Sequence, residues 1–205
     1  MKSNLEITLK ENNSEHSDEN AKENKGLVLF SSPHAFGYTY KLLDLFIKTA
    51  NKYSFTVIDC YKKNVSPCIA CGYCEKIAGC IFRDMDDIDI YLKTVDLLIF
   101  SSPIYNFSFP APMKSVLDRM QRYFSERFSL NVRPPINKKK KGILLLSCGS
   151  EDTRGLEVIE LQLKKIFTVI NCELKATLVL KGTDKLDSFP SPLIKKQVKK
   201  TINIL

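Results

Sequence analysis

Five short apolar runs recur along the chain, at Leu27–Phe30, Phe55–Asp59, Val95–Phe100, Gly142–Ser147 and Glu173–Leu180. Runs of about four to eight such residues suit strands covered on both faces, which lack the in-and-out alternation of a half-exposed strand. Between and after them, apolar residues return at helical spacing: Leu42, Leu43, Phe46, Ile47, Ala50 and Tyr53; Ile88, Tyr91, Leu92 and Val95; Val116, Leu117, Met120 and Phe124; Ile159, Leu163, Ile166 and Ile170. Pro110 and Pro112 open the third of these helices, and a basic amphipathic helix follows Pro192. Strands alternating with helices predict a parallel sheet wrapped on both faces. Right-handed crossovers then bring every strand-to-helix loop to one sheet edge, where such folds bind ligands. Function is therefore sought in three loops that follow the first three strands, 31–39, 60–80 and 101–110.

With 205 residues, 44% of them apolar, the chain can bury one substantial core, and a single domain over 26–205 is expected. Residues 1–25 are rich in Asn, Glu, Lys and Ser and read as a disordered polar tail. The stretch 125–141 reads as irregular, and its Lys138–Lys141 run as a solvated loop. No apolar run approaches a membrane span and the N-terminus is too polar for a signal peptide, so a cytoplasmic protein without a membrane partner is expected. Seven cysteines are then thiols or metal ligands in a reducing compartment rather than disulfides. The net charge is +8, and the tail is acidic, with four lysines against six acidic residues. The remaining excess of positive charge suits an anionic cofactor or substrate. The basic residues are scattered without aromatic interleaving, which argues against a nucleic-acid partner.

The first loop, Ser31-Ser-Pro-His-Ala-Phe-Gly-Tyr-Thr39, joins a strand to a helix through small polar residues. Such a junction offers unpaired backbone N–H groups, the positive end of a helix dipole and hydroxyl donors, which together cradle an anion. An ordinary turn capped by Ser is the bland alternative. Neither the nucleoside-triphosphate loop nor the dinucleotide glycine fingerprint is present, so a single phosphate monoester fits better. Pro103-Ile-Tyr-Asn-Phe107 presents aromatic and amide surface beyond the third strand, where a flat heteroaromatic ring can pack. These aromatics otherwise simply close the core. Taken together, the two loops fit a mononucleotide with a large ring, such as FMN.

Ser-Ser-Pro-x-x-x-Gly-x-Thr at 31–39, Pro-Ile-Tyr at 103–105 and Pro-Ala-Pro-Met-Lys-x-x-x-Asp-Arg at 110–119 closely resemble the flavodoxin-like NAD(P)H-dependent FMN reductase family. The resemblance covers residues 26 to about 180. It implies a flavodoxin-like, doubly wound, five-stranded parallel sheet of order 2-1-3-4-5. It also implies that Ser31, Ser32, His34, Gly37, Tyr38 and Thr39 hold the FMN phosphate, that Pro103, Ile104, Tyr105, Asn106 and Phe107 hold the ring, and that Ser147, Cys148 and Gly149 form a third wall. Many relatives carry Arg in place of His34 and Asn in place of Tyr38, so this chain lacks a fixed cation and an amide donor there. No acid–base catalytic residue is implied; the protein positions and tunes its cofactor.

The loop after the second strand carries Cys68-x2-Cys71-x2-Cys74-x5-Cys80. Four thiolates within so short a span can wrap a compact inorganic cluster, whereas structural zinc more often joins two pairs across a longer loop. The spacing resembles that of the iron–sulfur flavoprotein subgroup, in which it holds a [4Fe–4S] cluster. Free thiols and zinc remain the alternatives. Cys60, Cys148 and Cys172 lie outside the motif and read as ordinary thiols. The expected function is a flavoprotein oxidoreductase passing electrons between NAD(P)H or ferredoxin, FMN, a cluster and a small-molecule or protein acceptor, as a homo-dimer or homo-tetramer. A cluster-free NAD(P)H reductase of flavin or quinone, and a non-catalytic redox carrier or sensor, are the competing readings.

Overall fold

A computed structural model describes residues 24–205. Five parallel strands, β1 (Asn24–Phe30), β2 (Tyr53–Asp59), β3 (Leu97–Pro103), β4 (Lys140–Ser147) and β5 (Cys172–Leu180), form one sheet in the order β2-β1-β3-β4-β5. This is the topology expected from the sequence. The helices are α1 (Tyr38–Thr49), α2 (Cys60–Lys63), α3 (Tyr73–Lys76), α4 (Asp86–Leu92), α5 (Ala111–Arg119), α6 (Gln121–Phe128), α7 (Arg154–Val169) and α8 (Ser191–Ile202). β1 begins at Asn24, so the last two residues of the segment read as tail are strand; the rest of that expectation lies outside the described residues.

Successive side chains of a strand face opposite sides, and both sides are apolar here. Leu27, Leu29, Leu98, Phe100, Leu144 and Leu146 pack under α4, α5, α6 and α7. Val28, Phe30, Leu97, Ile99, Ile143 and Leu145 pack under α1 and α8. The helical stripes do what their spacing predicts: Leu42, Leu43 and Phe46 of α1, and Ile159 and Leu163 of α7, are almost fully buried. Among the described residues, no helix is long and apolar enough to cross a membrane.

Two expectations are corrected. The stretch 125–141 is not all irregular, because α6 runs to Phe128 and β4 begins at Lys140. Nor is Lys138–Lys141 a solvated loop. Lys138 pairs with Asp96, and Lys140 is 2% exposed, its Nζ donating to the carbonyls of Ile170 (2.6 Å) and Lys138 (2.8 Å). Backbone pairing with β5 draws this lysine inward, and the two carbonyls satisfy its donors. Asp87 pairs with Lys63, and Asp84 pairs with Arg119.

Burial pushes the Lys140 ammonium down from 10.5 to about 8, opposed by Cys172 and reinforced by Lys138. Below pH 8 folded and unfolded chains both carry the proton, so the burial cost is borne in full. Between pH 8 and the unfolded value only the unfolded chain holds it, so stability rises with pH across that window. The gain is on the order of 2–3 kcal/mol. Denaturant titrations from pH 7 to 10 should show this rise in the wild type and its absence in Lys140→Met. Parallel pH profiles would refute the assignment.

Candidate functional site

Two cavities open beside the loops that follow the strands. The first, about 520 Å³, is lined by Ser32, His34, Gly37, Tyr38 and Thr39 after β1, by Pro103, Ile104 and Tyr105 after β3, by Ser147 and Gly149 after β4, and by Thr183 and Asp184 after β5. Helix α1 starts here with Gly37 as its N-cap in extended backbone, and no side chain caps it. The first N–H groups of this twelve-residue helix therefore have no intrahelical partner and face a polar hollow. Ser32 Oγ accepts from the His34 backbone N–H at 3.3 Å and holds the loop shut. No Lys or Arg lines this cavity among the described residues, so an anion must be met by N–H groups, hydroxyls, His34 and the helix dipole.

The walls are tied to one another. Thr39 Oγ1 and Ser147 Oγ lie 2.6 Å apart, both buried, which joins the head of α1 to the end of β4. Tyr38 Oη donates to the Leu186 carbonyl. Beyond the sheet, pairing continues between the tails of β4 and β5 through Thr183 N to Cys148 O (3.0 Å), Asp184 N to Gly149 O (3.2 Å) and Gly182 N to Ser150 O (2.9 Å). A Cβ at Gly149 would lie 2.4 Å from the Asp184 carboxylate, so a larger residue there would push that side chain aside. After β3, Tyr105 and Ser108 exchange backbone hydrogen bonds around a turn that holds Asn106 and Phe107 at positive φ, 49° and 61°. Phe in that region is strained. The turn is seated on Gly155 of α7, where a Cβ would meet Phe107 Cα at 2.8 Å, and the Arg154 guanidinium lies 5.2 Å from the Phe107 ring centroid.

Cys68, Cys71, Cys74 and Cys80 all line the second cavity, about 270 Å³, and all four are free thiols. Ala70 (φ 51°) and Gly72 (φ 72°) take left-handed backbone and curl the loop around the hollow. Its other walls are Phe82, Arg119 of α5, and Gln121, Arg122 and Ser125 of α6. A single guanidinium closes the loop: Arg119 donates to the carbonyls of Ser66 and Phe82, both at 3.0 Å, and pairs with Asp84 at 2.8 Å. Both ends of the cysteine loop are thus pinned to one side chain. Among the described residues, no three or more His, Cys, Asp or Glu side chains meet as a site for a single ion. The four thiols line one cavity, and four sulfur donors are a set that iron–sulfur chemistry can use.

Of the residues singled out from the sequence, ten are brought together on the first cavity and four cysteines on the second. Ser31, Asn106, Phe107 and Cys148 do not line the first cavity. Ser31 is fully buried, its N–H bonded to Ser101 O. Asn106 and Phe107 lie out on the turn, and the Cys148 thiol turns away to the Asp152 carbonyl at 3.4 Å. Thr183 and Asp184 went unmarked, although Gly182 directly after a predicted strand signalled a turn at the ligand edge. Cys60 and Cys172, read as ordinary thiols, are pushed up to about 12 by burial, so they stay protonated.

Residues 25–183 match the model of a family described as NADPH-dependent FMN reductase. An iron–sulfur flavoprotein of Archaeoglobus fulgidus is 29% identical over 128 residues, 61% of this chain and 55% of the relative. Another, of Methanosarcina thermophila, is 29% identical over 115 residues, 55% of this chain and 56% of the relative. The matched stretches thus span about half the length of these relatives. Among solved structures, an NAD(P)H:quinone oxidoreductase from Methanothermobacter marburgensis superposes with a TM-score of 0.67 at 16% identity, over 88% of this chain and 95% of that one. That likeness is one of fold.

Arg119→Met should release the cysteine loop. Asp84, whose side chain is 25% exposed, would lose its cationic partner and two carbonyls would lose their donor, at a combined cost of about 2–4 kcal/mol. Thermal unfolding should fall accordingly, and limited proteolysis should cut first between residues 66 and 84. A variant as stable and as protease-resistant as the wild type would show that the clasp is not what holds the loop.

Proposed function

The chain belongs to the NADPH-dependent FMN reductase family, and from that premise we propose that it is an FMN-dependent oxidoreductase that moves electrons from a reduced donor, NAD(P)H or ferredoxin, through FMN and a [4Fe–4S] cluster to a small-molecule or protein acceptor. The observation that carries this reading is the uncapped N-terminus of α1 opening on a cavity whose opposite wall is Pro103–Tyr105. A helix head and its hydroxyls fit one phosphate, and the Pro103, Ile104 and Tyr105 segment offers a flat apolar wall for a ring.

Within that reading, Ser32, His34, Gly37, Tyr38 and Thr39 bind the phosphate end. For Tyr38 the contribution is through the backbone, since its hydroxyl donates to the Leu186 carbonyl, whereas the Thr39 and Ser147 hydroxyls share one hydrogen bond and leave one proton between them for a ligand. Asp184 repels phosphate but accepts from hydroxyls, so it suits the polyol chain of FMN. Cys68, Cys71, Cys74 and Cys80 are the ligands of the cluster. FMN supplies a centre that takes electrons in pairs and releases them singly, and the cluster a one-electron carrier. The protein's own work is to orient the ring, exclude water behind Tyr105 and fix the edge loops against one another. Phe36 (80% exposed), Tyr105 and Phe107 stand out on the loops around the first cavity, which supports a homo-oligomer with the flavin near a subunit interface.

A second reading, a cluster-free NAD(P)H reductase of a flavin, quinone or other small acceptor, is favoured by the cysteine sulfurs not meeting at a point. The test is to purify the protein without oxygen, denature it, identify the released flavin, and assay iron and acid-labile sulfide. FMN with about four iron and four sulfide per chain is expected. Full FMN with no iron after reconstitution selects the plain reductase; FAD, or no flavin at all, overturns both readings.

A further inference from the structure

Helix α6, Gln-Arg-Tyr-Phe-Ser-Glu-Arg-Phe, spans the end of one expected amphipathic helix and the start of the stretch read as irregular, and it buries Arg122, Ser125 and Glu126 along with Tyr123. Arg122 is 7% exposed and Arg119, just before it on α5, is 2% exposed; both line the cysteine cavity. Burying a guanidinium is costly unless its charge and its donors are met. Arg122 Nη2 pairs with Asp89 of α4 and donates to Tyr123 Oη at 2.8 Å, and Tyr123 Oη donates to Asp89 at 2.8 Å. Asp89 does not line the cavity; Arg122 does. The Nε groups of Arg119 and Arg122 are buried without a hydrogen-bond partner among the described residues. Two cationic side chains thus stand with unmet donors at a hollow walled by four thiols, where Glu75 is the one carboxylate among the described lining residues.

Asp84 and Asp89 balance the two charges, but neutral thiols leave the Nε donors unmet, whereas thiolates around an anionic inorganic core can accept from them. Cys74 points the same way. As a thiol its Sγ donates to Ser125 Oγ at 3.3 Å, and Ser125 is 6% exposed. Deprotonated as a ligand, the sulfur becomes an acceptor and the Ser125 hydroxyl donates to it.

We propose that the α5–α6 junction is the electrostatic floor of the cysteine cavity: Arg122 and Ser125, with Arg119 beside them, stabilise the reduced form of the cluster bound there and so set its reduction potential. The inference rests on the reading of Cys68, Cys71, Cys74 and Cys80 as ligands of one cluster. Reduction adds one electron, and hence one negative charge, to a group that is already anionic. Fixed positive charge and hydrogen bonds to its sulfurs therefore favour the reduced state and raise the potential. Arg122 and Ser125 are positioning residues that touch the cluster environment without ligating iron.

The full chain, reconstituted without oxygen, is titrated with dithionite and ferricyanide, and the reduced cluster is followed by electron paramagnetic resonance. Arg122→Gln should retain iron, sulfide and flavin but lower the midpoint. A tenfold change in the ratio of oxidised to reduced cluster at fixed applied potential is expected, about 59 mV for a one-electron couple. Ser125→Ala should move it the same way by less, and Arg122→Lys, which keeps the charge, should restore most of the wild-type value. Because Arg122→Gln strips Asp89 of its cation, the double variant Asp89→Asn/Arg122→Gln is made alongside it; it removes one charge of each sign, so its midpoint should fall less than that of Arg122→Gln. Full iron and an unchanged midpoint in both Ser125→Ala and Arg122→Gln would overturn the inference while leaving the cluster reading intact. Absence of iron from the reconstituted wild type would overturn both.

Discussion

A parallel sheet forces each strand to release its chain at the same edge, and here that edge is stiffened by hydrogen bonds running past the ends of the strands. Ser31 N–H reaches Ser101 O, Ile104 N–H reaches Ser147 O, Cys148 N–H reaches Leu180 O, and Thr183 N–H reaches Cys148 O. The loops after β1, β3, β4 and β5 are therefore extensions of one ladder. A cavity between such loops keeps its shape without a ligand to prop it open, which lowers the ordering cost of binding. Side chains add cross-ties where backbone pairing stops, through Thr39 to Ser147 and Tyr38 to Leu186.

The β2 loop is held on a different principle. It pairs with no neighbouring strand, and nine residues, 64–72, separate α2 from α3 without a helix. Its anchor is Arg119, whose planar fork reaches Ser66, Phe82 and Asp84 at once. Ion pairing and hydrogen bonds substitute for a sheet ladder, and the loop gains a fixed mouth while its interior, Cys68 to Cys80, stays free to wrap what it holds.

Much of this was legible in the sequence for a simple reason: strands buried on both faces and helices buried on one leave strong apolar periodicities. The order of elements and the sheet edge at which the loops gather follow from those patterns, and the cysteine spacing is read directly from the chain. What was hidden is polar and inside. Lys140 looked like part of a solvated run because charge is read as exposure, yet register with β5 decided its burial. Arg122 and Ser125 sit in a helix whose composition is that of a surface, and only the packing of α6 against α3 and α7 reveals which face is covered. The neighbours Asn106 and Phe107 were assigned to the ring site from their position after a strand. Positive φ at both turned that pair outward, a backbone property that composition does not encode at a non-glycine residue. Asp184 belongs to a segment that no motif covers and that reaches the cavity through its pairing with Gly149.

The segment that carries Thr183 and Asp184 into the cavity also leads through Leu186 to α8, which packs on α1. The wall of the pocket and the docking of the last helix are consequently parts of one closure. Any molecule that binds the closed pocket draws on the same free energy that keeps α8 in place, so occupancy and protection of the C-terminal helix rise and fall together.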